Sequence, residues 1–123
     1  MSASYDVRKG NLLYNDKRYA DAAKKYEEAL SQDPSAGIAS LNLGVVKYRE
    51  NGYGAAIEKF NNAIASGSPV LIPLSDYNIG NAQYRMGAPF EDKDWKKAKD
   101  FYETALKFYK RSIDQRIRRD YAV

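Results

Sequence analysis

Between Ala36 and Ala65 the apolar positions recur by threes and fours. They fall at Leu41, Leu43, Gly44, Val46 and Tyr48, and again at Ala56, Ile57, Phe60, Ala63 and Ile64, which is the spacing of one face of a helix. Asn51-Gly52 separates the two stripes, so the pattern predicts two amphipathic helices joined by a tight turn. Gly44 and Ala56 are small where one helix must approach the other, and Phe60 supplies the bulk that fills the remaining space. Extended along the chain, the same reading predicts helices over about residues 4–15, 19–31, 38–50, 54–66, 74–86 and 95–118, with no strand.

The stripes repeat. Gly10, Tyr19, Ala22, Tyr26 and Ala29 each stand 34 positions before Gly44, Tyr53, Ala56, Phe60 and Ala63 (44 − 10 = 34), and self-similarity at that period marks stacked structural repeats. A third copy begins at Gly80 (80 − 44 = 36), with Ala98, Tyr102 and Ala105 expected as the packing residues of its second helix. On that register Gly80 lies 18 positions before Ala98 (98 − 80 = 18), against 12 in the earlier copies (56 − 44 = 12). Six added residues then form a longer turn around Ala88–Lys93, and Trp95 takes the place of Tyr19 and Tyr53. The expected organisation is a single domain, residues 1–123, with repeats over about 3–36, 37–70 and 73–110 and a C-terminal capping extension over 111–123. Without Gly or Pro after Tyr109 the last helix reads as continuous. Ser112 with Gln115 three residues on also fits a capping box that would start a separate final helix.

The 34-residue unit resembles the tetratricopeptide repeat (TPR) family: a small residue in the first helix of each pair, an aromatic after the turn, alanines plus an aromatic in the second helix, and Asp33-Pro34 at the exit of the first repeat. It departs from that family in having Asp6 where Trp is frequent, Gly67-Ser68-Pro69 at the end of the second repeat, and no exit proline in the third. The resemblance implies an all-α, right-handed superhelical stack of three helix-turn-helix repeats with an extended C-terminal helix. It also implies a concave groove lined by the first helix of each pair. On the family's register Asn11, Asn42, Asn78 and Asn81 face that groove. Asparagine has modest helix propensity and needs a reason to be there. A row of amides that both donate and accept can clamp an extended peptide backbone, and the competing reading is that they bridge adjacent helices. Tyr14, Tyr48 and Tyr84 recur near the ends of the same helices, and Lys47 and Arg85 beside them favour an acidic segment. Members that clamp the acidic C-termini of heat-shock chaperones add basic groove residues. Asn11 and Asn42 match that set, whereas Val7, Leu74 and Asn78 occupy the basic places. The string YNIGNAQYRMG from Tyr77 to Gly87 is similar to TPR segments of bacterial aerotolerance (Bat) proteins, which implies a bacterial, envelope-associated setting.

Composition narrows the chemistry. At 123 residues, 44% hydrophobic and 29% charged, the chain fits a globular domain of ordinary size. It has neither cysteine nor histidine, which removes thiolate and imidazole catalysis and Cys-ligated metals. The adjacent acids Glu27-Glu28 and Glu91-Asp92 point different ways and read as solvated surface. No enzyme activity, metal or cofactor is expected. The segment Pro69–Leu74 is apolar for a linker, and Val70, Leu71, Ile72 and Leu74 make it a candidate for self-association. Net charge is +4, concentrated at Lys107, Lys110, Arg111, Arg116, Arg118 and Arg119. No run approaches the roughly 20 apolar residues of a membrane span, and the first residues lack the apolar core of a signal peptide. A cytoplasmic home is expected, or a periplasmic or envelope-associated one if a leader or anchor was trimmed. The function read from the sequence is a non-enzymatic scaffold that binds a peptide or protein segment in its groove. The alternatives are a self-association module that forms dimers or arrays and, third, nucleic-acid binding through the basic C-terminal helix.

Overall fold

Two of the turns are built the same way, and they set the first two helix pairs. Lys17 and Asn51 both take a left-handed conformation (φ 61° and 63°). The next amide reaches back to close the helix: Arg18 N–H donates to Leu13 O at 2.9 Å and Gly52 N–H to Lys47 O at 2.8 Å, the pattern that satisfies orphan carbonyls at a helix end. The computed structural model describes residues 2–121. Among them lie α1 (Ala3–Asn15), α2 (Tyr19–Gln32), α3 (Gly37–Arg49), α4 (Tyr53–Ala65), α5 (Leu71–Gly87) and α6 (Trp95–Asp120), with one turn of 3-10 helix at Ala88–Phe90. Ser2 caps α1 by accepting from Tyr5 N–H, and Asp94 caps α6 by accepting from Lys97 N–H.

Each pair closes on a glycine beneath a ring. A Cβ built on Gly10 would lie 2.5 Å from the Tyr26 ring, one on Gly44 2.6 Å from Phe60, and one on Gly80 2.6 Å from Tyr109. The third contact corrects the expected register. Ala105, Tyr109 and Ser112 occupy the places of Ala22, Tyr26 and Ala29, and all three pack inward, Ala105 and Ser112 fully buried. Gly80 therefore stands 25 positions before its partner alanine (105 − 80 = 25), so the third copy carries 13 extra residues (25 − 12 = 13) and not six. They lengthen both helices. A Cβ built on Gly87, seven after Gly80 (87 − 80 = 7), would lie 2.8 Å from Phe101 Cβ and 3.0 Å from the ring of Tyr102, seven before Tyr109 (109 − 102 = 7). The third pair thus has a second close approach at a glycine, about two helical turns from the first.

One further expectation changes for a related reason. Residues Pro69–Leu74 are not a linker: α5 starts at Leu71, and Leu71 and Leu74 pack on the cluster of Leu41, Ala56, Phe60, Ala63 and Ile79. Their apolarity belongs to the core, which leaves Val70 exposed and Ile72 half-buried. From 111 to 120 the chain continues α6 without a break, which leaves no room for the capping-box alternative. Ser112 is buried and its hydroxyl donates to Pro73 O at 2.7 Å, so it opens no new helix. Ala122 and Val123 of that expected extension lie outside the described residues.

The helices form the right-handed stack expected of such repeats. Two core clusters run through it, one at Val7, Ala22, Tyr26, Ala29, Ala39, Leu43 and Val46 and one around Phe60. α1 touches α3 and α3 touches α5, whereas among the described residues α2, α4 and α6 do not touch one another. The first helices are therefore crowded on the inner side of the curve and the second helices splay on the outer side.

The glycines make a sharp comparison. Gly44→Ala must push a methyl into a fully buried ring, so the unfolding midpoint is expected to fall by the equivalent of about 1–3 kcal/mol. Gly54 has nothing within 4 Å of a built Cβ, so Gly54→Ala is expected to leave stability unchanged or raise it by up to about 1 kcal/mol. Equal midpoints for the two variants in urea would contradict the contact.

Candidate peptide-binding surface

The inner wall is set by what α1, α3 and α5 carry one residue after each glycine. Asn11 Oδ1 accepts from Tyr26 Oη at 2.6 Å, and Asn81 Oδ1 accepts from Tyr109 Oη at 2.6 Å. The middle repeat has Val45 at that place, and its ring, Phe60, has no hydroxyl. Asparagine appears where a buried phenol needs an acceptor and is replaced by an aliphatic where it does not. Asn42 Nδ2 donates to the same Asn11 Oδ1 at 3.1 Å and so ties α3 to α1. Asn78 Nδ2 turns back to Leu74 O of its own helix at 2.9 Å. The bridging alternative thus describes Asn11, Asn42 and Asn81, and Asn78 is drawn away from the row. What remains unpaired among the described residues is the amide group of Asn11 and of Asn81 and the carbonyl oxygens of Asn42 and Asn78.

The candidate tyrosines are halves of pairs. Tyr14 packs on Tyr19, Tyr48 on Tyr53 and Tyr84 on Tyr102, with ring centroids 5.2, 5.3 and 5.2 Å apart. Tyr102, not Trp95, therefore fills the place of Tyr19 and Tyr53, which agrees with the shifted register. An arginine from the following repeat closes each of the first two pairs. Arg49 Nε donates to Tyr14 Oη at 3.0 Å, and the Arg85 guanidinium lies 5.9 Å from the Tyr48 ring centre and 5.6 Å from Tyr53. Arg85 is thus a clasp between repeats, and Lys47 is half-buried on α3. Tyr102 Oη donates to Glu91, and that bond pushes the phenol up to about 12.

Between α1 and α3 these groups enclose a cleft of about 300 Å³ lined by Asn11, Tyr14, Asn15, Tyr26, Asn42 and Val45. Its walls mix aromatic faces with side-chain amides, a combination suited to an extended polypeptide. A second cleft of about 300 Å³, between the start of α5 and the end of α6, is lined by Pro69, Ile72, Pro73, Gln115, Arg118 and Arg119.

Four residues before each glycine lies a feature the sequence reading reached only at Asp6. Asp6, Ser40 and Asp76 are all buried there. Asp6 accepts from Gln32 Nε2 at 2.7 Å. Asp76 accepts two bonds from Arg111, at 2.9 and 2.6 Å, which takes that arginine out of the basic run. The recurrence of Asp, Ser and Asp at one register position was the available signal. Arg119 also pairs, with Asp120 at 2.8 Å, so the tail's free positive charge is smaller than its composition. Among the described residues no group of three or more His, Cys, Asp or Glu is placed to hold a metal ion, and no helix is long and apolar enough to cross a membrane.

A sequence model described as tetratricopeptide repeat matches residues 7–70, which is 64 of 123 residues (70 − 7 + 1 = 64). A similar solved structure is the second TPR of Spaghetti (RPAP3) bound to the HSP90 peptide SRMEEVD, with a TM-score of 0.65, 19% identity, and coverage of 86% of this chain and 91% of that one. At that identity the likeness is one of fold. None of the curated proteins matches the chain.

Burial also pushes the Tyr26 phenol up to about 12. The folded protein holds that proton more tightly than the unfolded chain, so the contribution is complete below the ordinary tyrosine value of about 10 and is lost as pH rises toward about 12. Stability measured by urea titration is expected to decline over that range. Tyr26→Phe is expected to decline less steeply, by up to about 1.4 kcal/mol per pH unit. Identical slopes would contradict the buried phenol.

Proposed function

The chain belongs to the tetratricopeptide repeat family, and from that premise we propose that it is a protein-interaction scaffold that holds an extended peptide or protein segment along the inner wall of α1, α3 and α5. The observation that carries this reading is the amide-and-tyrosine cleft between α1 and α3. Its continuation past Tyr48 toward Asn81 and Tyr84 supplies further ring faces and a free amide. Extended backbone offers a donor and an acceptor at regular intervals, and the free groups of Asn11, Asn42 and Asn81 can meet them. Tyr14, Tyr48 and Tyr84 present half-open ring faces to side chains. Lys47 beside them favours an acidic segment, and Arg85, already over two rings, contributes its outer edge. Val7, Leu74 and Asn78 stand where chaperone-clamping relatives have basic residues, so a carboxylate clamp is not part of the proposal.

A random-peptide library selected against the full chain, followed by amide-shift mapping of the best binder, tests the site. Shifts are expected to concentrate on Asn11, Asn42, Tyr48, Asn81 and Tyr84. Asn42→Ala is expected to weaken that peptide by about 5- to 10-fold through a lost backbone bond, and affinity is expected to drop modestly with salt. Binders that perturb only α2, α4 and α6, with affinity untouched by Asn42→Ala, would overturn it.

A further inference from the structure

The stack states what covers its own second helices. The face of α2 that carries Ala23 and Leu30 packs in one cluster with Ala39, Leu43 and Val46 of α3. The face of α4 that carries Ile57 and Ile64 packs in the other with Ile79 of α5, and α4 touches α5. The covering helix has one pattern both times. Small or aliphatic residues stand at Ala39, Leu43 and Val46, and at Ser75, Ile79 and Ala82, all fully buried. Three residues further on comes the arginine, Arg49 or Arg85, that closes the tyrosine pair of the repeat below.

On α6 the same register positions are Leu106 and Ile113. They are 55% and 57% exposed, with Ile117 at 52% and Trp95 at 60% on the same face, and among the described residues no helix follows to cover them. The third tyrosine pair is likewise open. Tyr84 is 50% exposed, among the described residues no arginine lies over it or over Tyr102, against which Trp95 packs edge-on at 6.4 Å, and the Glu91 carboxylate sits on the Tyr102 hydroxyl. Two ring faces beside a carboxylate suit a guanidinium.

We propose that the outer face of α6, together with Tyr84, Tyr102 and Glu91, is a docking site for a helix of a partner protein that reads small, three residues, aliphatic, two residues, aliphatic or small, two residues, Arg. Its apolar positions cover Leu106 and Ile113, and its arginine enters between Tyr84 and Glu91. A second copy that continued the stack head to tail through its α1 does not meet the requirement. α1 is the first helix whose corresponding face is open, and it presents Tyr5, Lys9 and Leu12, followed by Asn15 at the arginine's place. A lysine would face the apolar stripe and the carboxylate would lose its cation.

The probe is the chain's own α5 sequence, residues 71–87, as an acetylated and amidated peptide, with an Arg85→Ala version beside it. Trp95, the single tryptophan of the chain, reports on this face through its emission. The peptide is expected to give a saturable blue shift on the 123-residue chain. The Arg85→Ala peptide is expected to bind about 5-fold more weakly, the ratio that corresponds to one cation–π contact. Tyr84→Ala in the protein should remove that difference between the peptides. Leu106→Glu with Ile113→Glu should abolish binding while helix content and the unfolding midpoint stay at parent values, since both side chains are exposed. No shift up to millimolar peptide would overturn the site, as would equal affinities across peptides and variants. A blue shift that tracks the protein's own concentration, with a dimer mass in light scattering, would assign the face to a second copy and overturn the partner-helix proposal.

Discussion

The contact on which the stack depends is a ring lying directly on a glycine backbone. Gly10, Gly44 and Gly80 let α1, α3 and α5 come within van der Waals reach of Tyr26, Phe60 and Tyr109, closer than any side chain at those places would allow. Such proximity is a packing constraint with little freedom, because interiors are filled like crystals and a single methyl has nowhere to go. From it follow the angle of each pair, the crowding of the first helices on the inner side, and the need to satisfy whatever polar atom the ring carries. Where the ring is tyrosine, an asparagine one residue past the glycine accepts its proton. Where it is phenylalanine, a valine suffices.

Much of this was legible in the chain. The period of 34, the pairing of Gly44 with Phe60, and five of the six helix starts, α5 excepted, to within a residue follow from spacing and turn residues. The register of the third pair did not, for a geometric reason. Ala98 and Ala105, and Tyr102 and Tyr109, are seven apart, and seven residues fall only about 20° short of two full turns. Both sets satisfy the same stripe, and only the contact with Gly80 decides between them. The run from Pro69 to Leu74 misled because an apolar first turn of a helix and an apolar linker look alike in a window that short.

The candidate site was half legible. Counting asparagines on the first helices pointed to the inner wall, but not that all four carry internal bonds, those of Asn11, Asn42 and Asn81 running between helices. A side-chain amide has more hydrogen-bonding capacity than one partner uses, and the distinction between strut and clamp lies in which atom is free. The tyrosines split the same way: each of the first two pairs is closed by an arginine of the next repeat, and the last is open. Unpaired amide atoms thus remain along the inner wall between the struts, and exposed apolar side chains remain on α6. Asp76 shows the same economy in the core, since its pair of bonds from Arg111 removes a charge that the sequence had assigned to the tail.

A double-mutant cycle on Asn81 and Tyr109 tests the glycine-and-ring unit most directly, because the middle repeat already contains the double replacement as Val45 and Phe60. Tyr109→Phe leaves an amide oxygen without its donor and is expected to cost about 1 kcal/mol, and Asn81→Val leaves a part-buried phenol without its acceptor and is expected to cost about 1–3 kcal/mol. Together, Asn81→Val and Tyr109→Phe are expected to return most of that loss, giving a coupling energy of about 1 kcal/mol or more. Strictly additive losses in the urea midpoints would contradict the unit, and with it the register on which the third pair is built.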